Sequence, residues 1–286
     1  ASNRDFTKKL EFHSNYHFHK INICDYTVLL ELFKQHQFTD VIHLAAESHV
    51  DNSIADPTLF AKTNVLGTLN LLESFRHYSS GRFHHVSTDE VYGDLEKNDM
   101  AFKESNAYKP SSPYSASKAS SDHFVRAYHR TYDLDTVITN CSNNYGPHQH
   151  VEKFIPTIIN SIIKNSDIPL YGTGKNIRDW LYVQDHVLAI DLVFNQGYCG
   201  QTYNIGSNNE ISNLDLVDAI CKMCVDKKIH TNPKSLIKLV PDRLGHDKRY
   251  AIDYSKCTID LGWHPKFNFY DSLSETIDWY YSYLTQ

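Results

Sequence analysis

Two short runs of this sequence carry residue types that move protons. Ser87-Thr88-Asp89-Glu90-Val91-Tyr92-Gly93 places two adjacent carboxylates beside a hydroxyl, and Tyr114-Ser115-Ala116-Ser117-Lys118 places a phenol four residues before an ammonium. Four residues is about one helical turn, so on a helix both side chains share a face. A neighbouring ammonium favours the phenolate and brings a tyrosine toward the range of a general base. Two adjacent acids at the end of a buried strand are costly to desolvate unless they are paired or used, although a turn with two solvated acids gives the same pattern. Tyr-x-x-x-Lys is a weak signal alone. Preceded by S-T-D-E at the distance of one loop, it is a strong one.

These runs need elements to hold them. Strand-like and helix-like segments alternate, which predicts an α/β fold: a Rossmann-like doubly wound parallel sheet with a smaller α/β substrate-binding lobe. The pattern predicts strands over 16–23, 40–46, 82–88, 135–141 and 201–205, and helices over 26–35, 58–78, 113–132 and 183–195. The 40–46 run, DVIHLAA, is nearly all apolar, as a strand buried on both faces should be. Beyond 143 the rhythm changes to loops rich in Asn, Gly and Pro, and from 207 onward two amphipathic helices are expected. The division that follows is a dinucleotide-binding domain over 1–142 and 179–206, and a second lobe over 143–178 and 207–286. A doubly wound sheet binds its ligand beyond the carboxyl ends of its strands, which here means just after Ala46, Thr88 and Cys141.

Composition narrows the field. A net charge of −6 on 286 residues argues against a chain that lives by neutralising nucleic-acid phosphates, while leaving room for an anionic small ligand. No run approaches the roughly 18 apolar residues of a membrane span, and Ala1 to Leu10 lacks the apolar core of a signal peptide. Six scattered cysteines suggest a reducing, cytoplasmic setting. Cys221 and Cys224 lie in an apolar-periodic run and read as packing; no second Cys/His pair stands at zinc spacing, and no metal is expected. His13, His17 and His19 read as a solvated surface.

The S-T-D-E and Tyr-x-x-x-Lys runs together resemble the extended short-chain dehydrogenase/reductases, and the Asp-Glu pair resembles their sugar-nucleotide 4,6-dehydratases. The segments HLAAESHVD (43–51), NCSNNYGPH (140–148), IRDWLYVQDH (177–186) and DRLGHDKRYAID (242–253) are similar to the branch that acts on dTDP-glucose. The resemblance runs from about residue 16 to the end. It implies NAD as cofactor, with Tyr114 and Lys118 facing the nicotinamide and Asn22, Ile23, Leu44, Ala45, Ala46, Ser48, Thr63 and Asn144 also on the cofactor side. It implies a catalytic set of Thr88, Asp89, Glu90, Tyr114 and Lys118. Tyr114 and Thr88 would act at the 4-hydroxyl as hydride leaves C4, Glu90 would take the C5 proton, and Asp89 would protonate the departing 6-hydroxyl. The two acids would then need different proton affinities.

On the nucleotide-sugar side the resemblance implies Ser48, Asn143, Lys153, Phe154, Pro169, Tyr171, Arg178, Asn213, Arg243 and His246. Arg178 and Arg243 suit a diphosphate, or else an ion pair with the adjacent Asp179 and Asp242. The long helices over 58–78 and 113–132 would pair with their copies as the four-helix bundle of a homodimer. The pattern breaks at one point: neither G-x-x-G-x-x-G nor the acidic residue after a second strand is present, and Asn22 stands where the family commonly has Asp. The sequence would thus open just before the family's third strand, leaving the third and fourth strands with unpaired edges and uncovered apolar faces. Three explanations stand open: an N-terminal segment not included in this sequence, one supplied by another polypeptide, or a remnant that binds sugar nucleotides without catalysis. Another dehydratase or epimerase of the same fold is the rival activity.

Overall fold

The computed structural model describes residues 7–285. Helix α1 (Tyr26–His36) starts where the Asp25 side chain accepts from the Val28 N–H at 3.2 Å, and it buries Leu29 and Phe33, four residues apart on one face. Strand β1 (Val41–His43) follows, then α2 (Val50–Ala55) and α3 (Pro57–Phe60). The expected long helix continues through a π-helical turn (Ala61–Leu66) into α4 (Gly67–Tyr78). Strand β2 (Arg82–Thr88), helix α5 (Pro113–Tyr132) and strand β3 (Asp135–Cys141) have the spans that the sequence pattern predicts.

The chain then builds β4 (Asn143–Tyr145), α6 (Phe154–Ile163), β5 (Ile168–Tyr171), β6 (Ile177–Tyr182) and α7 (Val183–Gln196). It continues with β7 (Thr202–Ile205), β8 (Glu210–Ser212), α8 (Asn213–Asp226), β9 (Ile237–Val240), α9 (Ser255–Leu261) and α10 (Phe269–Thr285). Three helices, where two were expected, occupy the last part.

Strands β1, β2, β3 and β7 form a parallel sheet in that order. One face is covered by α1, α4 and α5 through Leu29, Phe33, Leu72, Phe75 and Val125 on Phe83 and Ile138. The other is covered by α7 and α9 through Ala189, Val193 and Cys257 on Val137, Tyr203 and Ile205. The second core gathers α6, α8 and α10 around Ile158, Ile159, Val217, Ile220, Leu273 and Ile277, beside the small sheets β4-β6-β8 and β5-β9. Cys221 and Cys224 are buried there, and burial pushes their thiols up to about 11 and about 12. His13, His17 and His19 are exposed.

Two expectations fail, for one reason. Residues 16–22 form no strand, because among the described residues no neighbouring strand offers their backbone a ladder; the N–H groups of Tyr16 and Asp25 make turn bonds, to the His13 and Asn22 carbonyls. The strand expected over 40–46 shrinks to three residues, and β2 is its only partner among the described residues. It is also not buried on both faces: Ile42 is 41% exposed and Leu44 60%. A strand with one bare edge loses half of its ladder, and the apolar run DVIHLAA cannot replace it.

The helix that carries the Tyr-x-x-x-Lys pair is started with care. Ser112 accepts from the Ser115 N–H at 3.1 Å while its own N–H donates to Ser115 Oγ at 2.9 Å, and Pro113 supplies the first helical φ. Ser112→Ala should therefore cost about 0.5–2 kcal/mol of stability, read as a shift of the denaturant midpoint; Ser112→Asp, which keeps an acceptor, should cost less.

Candidate active site

Strand β2 ends at Thr88, and the next four residues curl into a 3-10 turn, Asp89–Tyr92, that aims both carboxylates beyond the sheet. The turn closes at Gly93, whose φ of 93° and a Cβ that would stand 2.3 Å from the Lys109 carbonyl admit only glycine. Thr88 donates to Asp89 Oδ1 at 3.3 Å and accepts from the Glu90 N–H at 3.3 Å. Asp89 is 2% exposed and its Oδ2 has no partner. Burial, then the adjacent Glu90 and Asp179, hold its proton affinity well above the usual carboxylate range. Glu90 is half-buried on the wall of a cavity. Burial raises its affinity too, but Arg178, Lys153 and Arg243 pull it back. The two acids thus stand in different fields, one kept neutral by its surroundings and the other facing cations.

Tyr114 and Lys118 lie one turn apart on α5, both buried. Their contact is not the expected one. Burial first, then Glu90, pushes the Tyr114 phenol well above its ordinary value, with only Thr88 opposing. Lys118 turns instead toward the sheet, donating to the Val86 carbonyl at 2.9 Å with Nζ 3.4 Å from His85 Nε2. A shared helix face does not oblige two long side chains to meet. Asp122, a further turn along, lies 3.3 Å from that same His85 nitrogen.

A cavity of about 310 Å³ opens beside Glu90. It brings together Ser48, Asn143, Lys153, Phe154, Pro169 and Tyr171 with Arg178, Asn213, Arg243 and His246 from the second lobe, all anticipated from sequence. Thr88 and Asp89, also anticipated on the substrate side, are buried and not among its lining residues. Lys153 donates to the Ser48 carbonyl at 2.6 Å and hydroxyl at 3.2 Å. The alternative of ion pairs with the adjacent Asp179 and Asp242 does not occur. Arg243 pairs with Asp51 at 2.6 Å and lies over the Tyr171 ring, while Asp242 holds His246 at 2.6 Å. Arg178 is buried, donates to the Ile177 and Asp247 carbonyls and stacks 4.3 Å over Tyr250. Asp179 accepts instead from Ser207 and Asn209.

His49, Asp51, Gln149, Glu152 and Trp180 also line the cavity and were not singled out. Their signal lay beside residues already chosen: His49 and Asp51 within HLAAESHVD, Glu152 next to Lys153. Among these lining residues, His49, Asn143, Asn144 and Trp180 each carry a buried polar atom without a protein partner.

Of the cofactor-side residues, Ser48 and Asn144 reach the cavity. Asn22, Ile23, Leu44, Ala45, Ala46 and Thr63 lie outside it, with Asn22 folded onto the Cys24 N–H at 3.0 Å and Thr63 in the π-helical turn. That turn also places buried Asn64, which exchanges hydrogen bonds with the backbone of Glu47 and donates to Ser117 Oγ at 2.8 Å, tying the loop after β1 to α5. The groups around the ends of β2 and β3 fit a nicotinamide: the buried phenol and ammonium of Tyr114 and Lys118 on α5, with a buried Asn144 side-chain oxygen that has no partner. The glycine turn for a pyrophosphate is not among the 286 residues.

The family model described as GDP-mannose 4,6 dehydratase matches residues 2–276. A dTDP-glucose 4,6-dehydratase of Haemophilus influenzae is 46% identical over 295 residues, 98% of this chain and 87% of that protein. One of Escherichia coli is 48% identical over 303 residues, 98% and 83%. The crystal structure of the Streptomyces venezuelae dTDP-glucose 4,6-dehydratase DesIV, with NAD bound, superposes with a TM-score of 0.92 at 40% identity over 99% of this chain and 84% of that one. With the Asp-Glu turn, the Tyr-x-x-x-Lys helix and the cationic cavity in one place, these similarities establish that the chain belongs to the dTDP-glucose 4,6-dehydratase family.

Proposed function

We propose that this chain removes water from dTDP-glucose, leaving the 4-keto-6-deoxy sugar, and that its own residues divide the proton transfers. The observation that carries the reading is the pair Asp89 and Glu90, adjacent in sequence yet held in different electrostatic surroundings. An epimerisation at C4 has no use for such a pair. NAD, when bound, supplies a hydride acceptor and donor whose positive oxidised ring also favours the phenolate of Tyr114. Tyr114 takes the proton of the 4-hydroxyl, with Thr88 hydrogen-bonded to that oxygen. Glu90 removes the C5 proton, which the 4-ketone acidifies, and Asp89, kept protonated by burial, gives its proton to the leaving 6-hydroxyl.

The cavity holds the nucleotide. Arg178, Arg243 and Lys153 face the diphosphate, while Ser48, Asn143, Phe154, Pro169, Tyr171, Asn213 and His246 enclose sugar and base. Ala45, Ala46, Thr63 and Asn144, with Asn22, Ile23 and Leu44, serve the cofactor. The dinucleotide-binding domain comprises 1–142 and 179–206, and the substrate lobe the remainder. Six thiols without a disulfide support a reducing, cytoplasmic setting; no helix among the described residues is long and apolar enough to cross a membrane.

The exposed Leu59, Leu66, Phe124 and Tyr132 on the two long helical runs support a homodimer joined by those helices as a four-helix bundle. Analytical ultracentrifugation should find twice the mass of the 33.0 kDa chain, and Leu59→Glu with Leu66→Glu should return it to one copy.

The division of labour is tested by product analysis in deuterated water. Glu90→Gln should lower kcat by about 10²–10⁴-fold and abolish deuterium exchange at C5. Asp89→Asn should lose comparable rate while C5 exchange persists, because the base is intact. A 4-epimer, or equal behaviour of the two variants, would overturn the assignment.

The pH dependence has a defined sign. Glu90 must be ionised, and burial raises its proton affinity while Arg178 lowers it. The acid limb of kcat should therefore lie above the ordinary carboxylate range and move to higher pH in Arg178→Met, measured at saturating substrate. An acid limb that stays in place in this variant would remove Arg178 from the control of Glu90.

A further inference from the structure

Beneath the Tyr-x-x-x-Lys pair lies a set of buried ionisable groups that the proton transfers above do not use. On α5, Tyr114, Lys118, Asp122 and Arg126 recur every four residues and form one stripe. Lys118 is 3% exposed, and Asp122 and His85 are both 0%. A carboxylate and an ammonium sealed this deeply in a parallel sheet each need a counter-charge. Between them stands His85 of β2, its Nε2 3.4 Å from Lys118 Nζ and 3.3 Å from Asp122 Oδ1. The other Asp122 oxygen accepts from the Tyr108 hydroxyl at 2.9 Å, and that hydroxyl also takes hydrogen bonds from Arg126 at 2.7 Å and Asn140 at 2.9 Å. Lys118 donates to the Val86 carbonyl, and its Nζ and the Asp122 carboxylate both lie against the same His85 nitrogen, which can hydrogen-bond to only one of them at a time.

We propose that Asp122 is the buried counter-ion that keeps the Lys118 ammonium charged and in place, its charge acting across the His85 ring edge that both groups touch. Asp122 is a positioning residue: it acts on the reaction only through Lys118. Its charge is the one that compensates for burial of the ammonium. The groups facing Lys118 are His43 from β1, His85 from β2 and Cys141 from β3, with Asp122 on its own helix. His43 and His85 are neutral, since burial depresses both, His85 to about 4. Burial pushes the Cys141 thiol up to about 12, so it too is uncharged. Asp122 alone in this group is a carboxylate whose affinity lies below the ordinary range despite burial, held there by His85 and Lys118.

Burial lowers the Lys118 affinity and Asp122 raises it, so removing the carboxylate must make the lysine lose its proton at lower pH. The test is Asp122→Asn, nearly isosteric and uncharged, with lysine ε-ammonium NMR titration of the full chain and the Lys118 signal assigned by Lys118→Met. The Lys118 signal should titrate about one pH unit or more below wild type. In steady-state kinetics the alkaline limb should move down by the same amount, leaving the acid limb and KM unchanged. A purely structural role would scale the rate equally at every pH and leave the titration in place, and that result overturns the proposal. Should Asp122→Asn not fold, Asp122→Ser decides: it also removes the charge and should shift Lys118 in the same direction, and an unmoved signal there is equally fatal. The kinetic arm rests on the functional reading above, whereas the NMR arm does not. Wild-type protein that forms no 4-keto product would therefore sink that reading while the titration still judges the counter-ion.

Discussion

The constraint on which the rest of the structure depends is the burial of two consecutive carboxylates at the end of β2. Removing an isolated carboxylate from water costs far more than one hydrogen bond returns, and a second one beside it adds repulsion. The fold answers with asymmetry. At Asp89 burial and the neighbouring Glu90 and Asp179 outweigh the pull of Arg178, which favours a carboxyl that holds its proton. Glu90 points at the mouth of the cavity, where Arg178 is itself immobilised by two carbonyls and by the Tyr250 ring. A cation fixed in this way needs no reorganisation when the carboxylate changes charge, which is the condition for electrostatic catalysis.

That cation comes from the second lobe, so the chemistry requires the two lobes to be locked together. The lock is a set of main-chain and ionic contacts on the segment that follows Arg243. Asp94, just beyond the catalytic turn, accepts from the backbone N–H groups of Lys248 and Arg249. Arg249 is buried, engages both oxygens of Glu210 and donates to the Asp99 carbonyl at 2.8 Å. Phe102 and Ile252 bridge the same two segments as short parallel chains. Asp247 and Tyr250, which hold Arg178, lie on either side of this clasp. The geometry at Glu90 is therefore set by residues far along the chain, through bonds that touch no reacting atom.

Much of this was legible in the sequence, and what was not has physical causes. The spans of β2, α5 and β3 follow from periodicity because their environment is complete: helices on both faces, strands on both sides. The strands expected over 16–23 and 40–46 fail because a strand is not a local object, and residue pattern cannot supply a missing ladder. The site residues were legible where side-chain chemistry is local, as in Asp89-Glu90. Pairings were not. Neighbours in sequence offered Arg178 with Asp179 and Arg243 with Asp242 as alternatives, but on β6 strand alternation turns Arg178 and Asp179 to opposite faces, in the loop after β9 Asp242 is taken by His246, and the actual partners lie 69 and 192 residues away. Asp122 was within reach, since it continues the four-residue spacing of Tyr114 and Lys118, but a buried acid on an otherwise polar-looking helix gives no sign of itself until the sheet is folded against it.

The behaviour of Tyr114 follows from the same logic. Helical spacing suggests that Lys118 activates the phenol directly, yet the ammonium spends its hydrogen bonds on the floor of the site. Burial and the negative charge of Glu90 oppose ionisation of the phenol. Tyr114 is consequently a poor base until positive charge is brought beside it, and in this family the oxidised cofactor carries that charge. In the mechanism proposed above, bound NAD would supply the positive charge that Tyr114 needs to act as a base, so the phenol would ionise only when the cofactor is in place. A phenol that ionised readily without the cofactor would add a second uncompensated anion beside Glu90. The desolvation that makes the two carboxylates useful also keeps the tyrosine neutral until it is needed.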